Sequence, residues 1–307
     1  ETWESGSTYI PNLIKISQSG FTNTNMHTSV PSETIFGHCA MTTGSFEDIP
    51  NDGSVNPTYP TFMQEWLYNE GIVSSGDTDK AKMFFSKDKL YCLHQSSSLL
   101  NNYLPYVNAG DGTGENRSDA ETHELFKTEC LGENPPILSM ISYYEPDKYG
   151  HIGVYDDYVN SILQTDTYIG ELWDIIQSHP KMSNNTTMFI TNDHGRKDEI
   201  GGNDHGGDSE SELHVMFFAI GPNIRVNEVV SNERYITDIP STILELFNIE
   251  KIYNSGNTMY EIFNGYTTTT TTFVPTTTFA PITTTTTTFT TTIAPMGFEL
   301  FGQTYII

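Results

Sequence analysis

Three short apolar runs, each bordered by a cluster of Asp, His and Gly, constrain this chain more than any other feature. Ile137–Tyr143 (ILSMISY), Thr187–Thr191 (TMFIT) and His214–Ile220 (HVMFFAI) are too short for typical helices and apolar almost throughout, the pattern of strands buried on both faces. Between the first two, Val154, Tyr158, Ile162, Ile169, Leu172, Trp173 and Ile176 keep mostly helical spacing over 154–177. Strand, helix, strand in that order predicts parallel strands joined by crossovers, hence a sheet covered on both sides. Two further helices are predicted, one over 11–16 ending near Gly20 and one over 238–247 with Pro240 near its first turn. The fold class expected is α/β, a central and mostly parallel sheet flanked by helices.

Composition changes abruptly after Tyr266. From Thr267 to Pro295 the chain is two runs of six Thr and two of three, broken by Phe273, Phe279, Phe289 and a few small or apolar residues. Too few apolar groups are present there to offset the entropy of ordering the backbone in a core of its own. Three units follow: a domain over 1–266, a Thr/Pro-rich linker, stalk or fibre segment over 267–296, and a short apolar segment over 297–307 that could add a strand to a neighbour. Such tracts are typical of exported surface proteins, so an extracellular, cell-surface or periplasmic location is expected. Self-assembly or surface attachment through this region is a further expectation.

Fourteen Lys+Arg against 39 Asp+Glu leave a net charge of −25, which repels phosphate backbones and disfavours sequence-independent DNA or RNA binding. No apolar run approaches the roughly 20 residues of a membrane helix. Cys39, Cys92 and Cys130 are an odd, sparse set with no C-x-x-C, so neither a zinc knuckle nor a disulfide scaffold is indicated, and one disulfide stays open. The chain opens at Glu1 without Met, which points to a processed or truncated product.

Chemistry-bearing residues gather beside the apolar runs, where open α/β sheets place their sites. Glu145-Pro146-Asp147-Lys148-Tyr149-Gly150-His151 follows the first run, and Asn192-Asp193-His194-Gly195-Arg196 follows the second. Gly201-Gly202-Asn203-Asp204-His205-Gly206-Gly207 leads into the third. Each motif alone would be an ordinary turn or surface pair. Together they converge if the strands are parallel neighbours, and mixed His and carboxylate donors suit zinc or a similar divalent ion. Arg196 is either a solvated charge or an ester contact; Asp208, Glu210 and Glu212 read as a solvated acidic run; His27 and His123 have no partner pattern. His38, near Thr34, reads as structural. Asn116-Arg117-Ser118 and Asn184-Asn185-Thr186-Thr187 contain glycosylation sequons.

The order of these motifs resembles the alkaline phosphatase superfamily, most closely its type I phosphodiesterase/nucleotide pyrophosphatase branch, from about Tyr9 to Asn264. Tyr9-Ile10-Pro11-Asn12-Leu13 with Gly20 is similar to the family's first helix. Pro31-Ser32-Glu33-Thr34-Ile35-Phe36-Gly37-His38, running on to Thr42-Thr43-Gly44, is similar to its nucleophile segment, with the hydroxyl on Thr34. The resemblance implies two divalent metal ions, Zn²⁺ ahead of Mn²⁺. Asp147, His151 and His205 would hold one, and Asp193, His194 and the Thr34 oxygen the other. His205 is preferred to His214 because its His-Gly pair stands at the family's distance from Gly221-Pro222.

Two departures accompany the resemblance. The family's opening strand, which ends in a metal-binding Asp, is missing, and Gly37 stands where the nucleotide pyrophosphatases often have Asn. What the resemblance implies is a metal-dependent hydrolase of phosphate esters, a phosphodiesterase or phosphatase, acting on an anionic small-molecule ester by in-line displacement. The competing reading is a catalytically inactive structural or adhesive surface protein reusing the fold. A sulfatase is disfavoured because no Cys/Ser-x-Pro-x-Arg segment is present. A phosphoglycerate mutase is disfavoured because its nucleophile is Ser and the chain lacks a second domain of the needed size.

Overall fold

The computed structural model describes residues 10–73, 79–197, 204–266 and 304–306. Its elements run, in chain order, α1 Pro11–Ser19, β1 Phe21–His27, α2 Thr34–Thr43, α3 Phe62–Asn69, β2 Ala81–Phe85, a 3₁₀ turn Asp88–His94, β3 Tyr106–Ala109, α4 Asp119–Cys130 and β4 Leu138–Ser142. They continue with α5 Glu145–Ile152, α6 Tyr155–Ser178, β5 Thr186–Thr191, α7 Glu210–Leu213, β6 His214–Ile220, β7 Glu228–Val230, β8 Arg234–Tyr235, α8 Asp238–Leu246 and β9 Thr304–Ile306. Every element predicted from the apolar patterning is present within a residue or a few of its expected bounds.

One sheet runs β3-β2-β4-β9-β5-β6-β1-β7, with β8 also paired to β1. Strands β2, β3, β4, β5 and β9 are mutually parallel, whereas β6 is antiparallel to both β5 and β1. The sheet is therefore mixed, and the third apolar run is not the parallel neighbour it was expected to be. The site still converges for a geometric reason. The loop that enters an antiparallel strand lies at the same sheet edge as the loops that leave its parallel neighbours, so residues before β6 meet residues after β4 and β5.

Side-chain alternation sends one set of strand residues to each face. Leu138, Met140, Phe189, Phe217 and Ala219 pack with Ile35, Met63, Trp66, Ile239 and Ile243 of α2, α3 and α8. Ile141, Met188, Ile190, Phe218 and Ile220 pack with Leu13, Ile16, Phe126, Ile169, Leu172 and Ile176 of α1, α4 and α6. Both faces are covered, which explains why β4, β5 and β6 read as nearly continuous apolar runs. Helix α1 is tied to α6 by Asp166, whose carboxylate accepts the Asn12 and Leu13 N–H groups at 3.1 and 2.8 Å.

Some expectations change. Cys39, Cys92 and Cys130 are buried free thiols, so no disulfide joins them. Thr304–Ile306 forms a strand in the chain's own sheet, between β4 and β5. The tract 267–296 and the rest of 297–307 lie outside the described residues. Among the described residues no helix is long and apolar enough to cross a membrane.

Candidate metal centre

The elements deliver their polar side chains to one edge of the sheet. Thr34 is the first residue of α2, a helix buried along its whole length. Asp147 and His151 lie four apart on α5 and so share a face. Asp193 and His194 follow β5, and His205 precedes β6. Gly37 and Gly195 make this assembly possible: a Cβ at Gly37 would lie 2.5 Å from the Asp193 carbonyl oxygen, and one at Gly195 would collide with the Ser211 carbonyl. Gly37 thus lets α2 seat directly on the Asp193 backbone, a physical reason why a larger residue does not stand there.

Ligand-capable atoms of Asp147, His194 and His205 all lie within 4.8 Å of one another. The two imidazoles stack, ring centroids 3.8 Å apart. His194 Nδ1–H donates to the Gly195 carbonyl at 2.9 Å, and His205 Nδ1–H donates to the Ser32 carbonyl at 2.7 Å. Backbone acceptors on Nδ1 leave an Nε2 lone pair on each ring, the tautomer that ligates metals. Among the described residues His194 Nε2 is buried without a hydrogen-bond partner, an arrangement that costs free energy in protein alone. His151 Nε2 faces His205 Nε2 at 3.0 Å, and both stand 3.3 Å from Asp147 Oδ1. This donor set fits a divalent cation.

Asp193 is reached from another side. His38 Nδ1 lies 2.9 Å from the Thr34 carbonyl and 3.2 Å from Asp193 Oδ2, while its Nε2 contacts Ser142 Oγ at 2.9 Å. His38 therefore joins the start of α2 to the ends of β4 and β5. His194, paired with Asp193 in the resemblance, lies 3.5 Å from Asp193 Oδ2 and also within the Asp147–His205 group. His214, the competing candidate, lies elsewhere, bonded to the Thr24 carbonyl and stacked on His27.

Lys87, which the motif reading passed over, is the most informative addition. Its Nζ donates at 2.7 Å to Thr34 Oγ1 and at 2.7 Å to Asp147 Oδ2. It follows β2, a strand whose apolar run was not singled out, and only the lone cation after "MFFS" could have marked it. Arg196 is neither solvated nor free: its Nη2 donates to the Asp147 carbonyl and carboxylate, and its guanidinium lies against Gly150. Two more readings are corrected. His123 is buried between Tyr143 and Glu171, and Glu212 is a buried acceptor for the Gly207 N–H, whereas Asp208 and Glu210 are exposed. Part of the glycine-rich loop, 198–203, lies outside the described residues.

Electrostatics follow from these contacts. Burial pushes the Asp147 carboxyl up, but the His205 hydrogen bond and the Lys87 ammonium outweigh it and hold it well below the carboxylate range. Burial likewise opposes ionisation of Asp193, and His194 and His38 overcome it. Burial lowers His194 and His151, which favours the neutral ligand form. Burial lowers His205 too, but Asp147 overrides it and raises the imidazole above its ordinary value. A cation taking His205 Nε2 must displace that proton. Zinc titrated calorimetrically in buffers of differing ionisation enthalpy is expected to release more protons per site, and bind more weakly, in mildly acidic than in mildly alkaline solution. A pH-independent affinity would exclude His205 from the ligand set.

The His/carboxylate cluster at the strand ends falls in the part of the chain that is similar to known metalloenzymes. The model of the Metalloenzyme superfamily matches residues 116–251, the stretch holding Asp147, His151, Asp193, His194 and His205. The chain is 30% identical over 115 residues to a phosphopentomutase of Clostridium novyi, covering 38% of this chain and 27% of that one. It is 33% identical over 122 residues to a 2,3-bisphosphoglycerate-independent phosphoglycerate mutase of Gracilaria tenuistipitata, 39% and 23% respectively. The chain thus spans about a quarter of the length of the curated relatives it matches.

Among solved structures, murine ectonucleotide pyrophosphatase/phosphodiesterase 5, as an inactive threonine-to-alanine variant in complex with AMP, superposes with TM-score 0.60 at 13% identity, covering 83% of this chain and 94% of that one. A protein in the alkaline phosphatase superfamily from Vibrio parahaemolyticus gives 0.56 at 17% identity, covering 80% and 62%. The fold is alkaline phosphatase-like, as the motif order implied.

Proposed function

We propose that this chain is a metal-dependent hydrolase of phosphate esters, a phosphodiesterase or phosphatase, with Thr34 as nucleophile and two divalent ions, Zn²⁺ ahead of Mn²⁺. The observation that carries the reading is Lys87 Nζ, 2.7 Å from both Thr34 Oγ1 and Asp147 Oδ2. This contact links a buried hydroxyl to the carboxylate that lies with His194 and His205, which supports the reading. Asp147, His151 and His205 would hold one ion, and Asp193, His194 and the Thr34 oxygen the other. Bound divalent ions supply Lewis-acid stabilisation of developing oxyanions and a locally positive field in a chain of net charge −25.

The chain's own groups do the rest. Thr34 Oγ1 gives its proton to solvent and attacks phosphorus in line, forming the O–P bond as the ester's leaving oxygen departs with its bond pair and takes a proton from water. A water then attacks phosphorus and loses its proton to solvent, and Thr34 Oγ1 leaves with the bond pair and is reprotonated. Lys87 stabilises the negative charge on Thr34 Oγ1 before attack and again as that oxygen leaves phosphorus, and holds Asp147 in place. His38 fixes the start of α2 through the Thr34 carbonyl. Beside these groups an open cavity of about 600 Å³, whose charged lining is Lys87, Lys89, Lys148, Asp52, Asp88 and Asp147, would take the anionic ester once its carboxylates are offset by bound cations. An extracellular, cell-surface or periplasmic setting fits this reading.

Lys87→Met removes the ammonium while keeping an apolar stem of similar length. Turnover is expected to fall by about 10²–10³-fold, with zinc content by elemental analysis near that of the wild type. Unchanged turnover would make Lys87 a structural counter-ion only. The reading as a whole is tested by assaying bis(p-nitrophenyl) phosphate against the monoester and sulfate analogues, with elemental analysis of the same sample. Full metal occupancy without hydrolysis would move the assignment to a structural or adhesive protein.

A second reading, phosphomutase, is favoured by the two curated relatives named above, a phosphopentomutase and a phosphoglycerate mutase. It predicts transfer of the phosphoryl group from Thr34 to a second hydroxyl of a sugar phosphate in preference to release of inorganic phosphate.

A further inference from the structure

Helix α5 carries Asp147 and His151, yet it has no side-chain cap of its own, since its N-cap residue is Tyr144. The first amides of any helix lack partners within it, and those of Glu145 and Asp147 fall in that group, Pro146 having no N–H. The first intrahelical bond of α5 runs from the Lys148 N–H to the Tyr144 carbonyl at 2.9 Å. Asp147 therefore sits in the turn whose position depends on contacts from outside the helix.

Those contacts come from α4. Asp119, its first residue, accepts the Tyr144 N–H on Oδ1 at 2.8 Å and the Glu145 N–H on Oδ2 at 2.9 Å. Glu145 returns the contact, its Oε1 accepting the Asp119 N–H at 3.4 Å. The two helix starts cap each other. The segment leading into α4 is tied in turn to the Lys87 side of the site. Arg117 N–H donates to the Ser86 carbonyl at 2.8 Å, and Ser86 N–H donates to the Ser142 carbonyl at 3.1 Å. Asp119 is 1% exposed. Burial pushes its carboxyl up to about 6 against the pull of its hydrogen bonds.

We propose that Asp119 is a positioning residue for the metal centre, fixing where α5 begins relative to β2 and so holding the Asp147 carboxylate between Lys87 and the imidazoles of His194 and His205. A cap that only added stability would lower the melting temperature and leave the ligands where they are. Asp119 does more because the turn it holds is the one that presents Asp147, and a ligand displaced by a fraction of an ångström loses its bond to a divalent ion. The inference rests on the proposed metal-dependent function only through the ligand role of Asp147 and His151.

Asp119→Ala, Asp119→Asn and, as a control in the same buried turn, Thr122→Val would be compared in the full chain. In metal-free protein, hydrogen exchange over 144–152 is expected to accelerate in Asp119→Ala and stay near wild type in Thr122→Val. Zinc affinity by competition titration is expected to drop about tenfold or more in Asp119→Ala. Asp119→Asn should recover part of it, because one oxygen still accepts the Tyr144 N–H; this variant also serves if the alanine form does not fold. Unchanged zinc affinity in Asp119→Ala, or an equal loss in Thr122→Val, would overturn the proposal. If the wild-type chain binds no zinc, the metal reading fails separately and the exchange data alone decide: unaltered protection over 144–152 would overturn the positioning role, and selective loss would support it.

Discussion

Thr34→Ala is expected to lower turnover by about 10³-fold or more while zinc per chain stays near the wild-type value. The two halves of this expectation come from different parts of the site. Thr34 Oγ1 accepts from Lys87, and on the proposed mechanism its removal leaves no oxygen there to attack phosphorus. The side-chain donors of the cluster, Asp147, His151, Asp193, His194 and His205, are untouched, and Lys87 keeps its contact with Asp147 at 2.7 Å. Stability should change little, by about 1–2 kcal/mol, since only a methyl and a hydroxyl leave a buried helix start. Thr34→Ser keeps the nucleophilic oxygen and should retain most of the activity lost in the alanine variant. Steady-state assay with elemental analysis decides it: retained turnover in Thr34→Ala removes the residue from its role, and parallel loss of metal recasts it as chiefly a ligand.

How far this site could be read in advance depended on where its residues stand relative to apolar patterning. Asp147, His151, Asp193, His194 and His205 flank β4, β5 and β6, whose buried runs announce themselves, so the cluster was legible although the direction of β6 was not. Strand direction is invisible to hydrophobic alternation, because an antiparallel strand covered on both faces has the same composition as a parallel one. Lys87 follows β2, where Lys82 interrupts the apolar run, and a single lysine carries no spacing signal. His123 and Asp119 lie on α4, a mostly polar helix; their meaning is set by what they touch across the sheet edge, Tyr143, Tyr144 and Glu145. Gly37 was read as a departure from a binding pattern, but the packing of α2 on Asp193 shows a steric demand that only the folded chain displays.

Asp147→Asn is the second large effect, and it should appear even before metal is added. The carboxylate takes Lys87 at 2.7 Å on one oxygen, and Arg196, His151 and His205 on the other. Neutralising it leaves a lysine and an arginine, both mostly buried, without their shared counter-charge, and breaking such pairs costs about 3–5 kcal/mol. The lower end applies because the asparagine oxygen still accepts one bond, so metal-free protein should melt roughly 6–10 °C lower. The sign with pH is fixed by the depressed carboxyl: its contribution is present above the ordinary carboxylate range and fades as pH falls toward the lowered folded value, so the two proteins should converge in strong acid. Zinc should bind more weakly and turnover should fall with it. A double variant with Lys87→Met separates the causes, since removing the stranded lysine as well should recover part of the lost stability but none of the lost zinc affinity. Equal melting temperatures for Asp147→Asn and wild type, with undiminished zinc, would mean that Asp147 anchors neither the cations around it nor the ion it is assigned to hold.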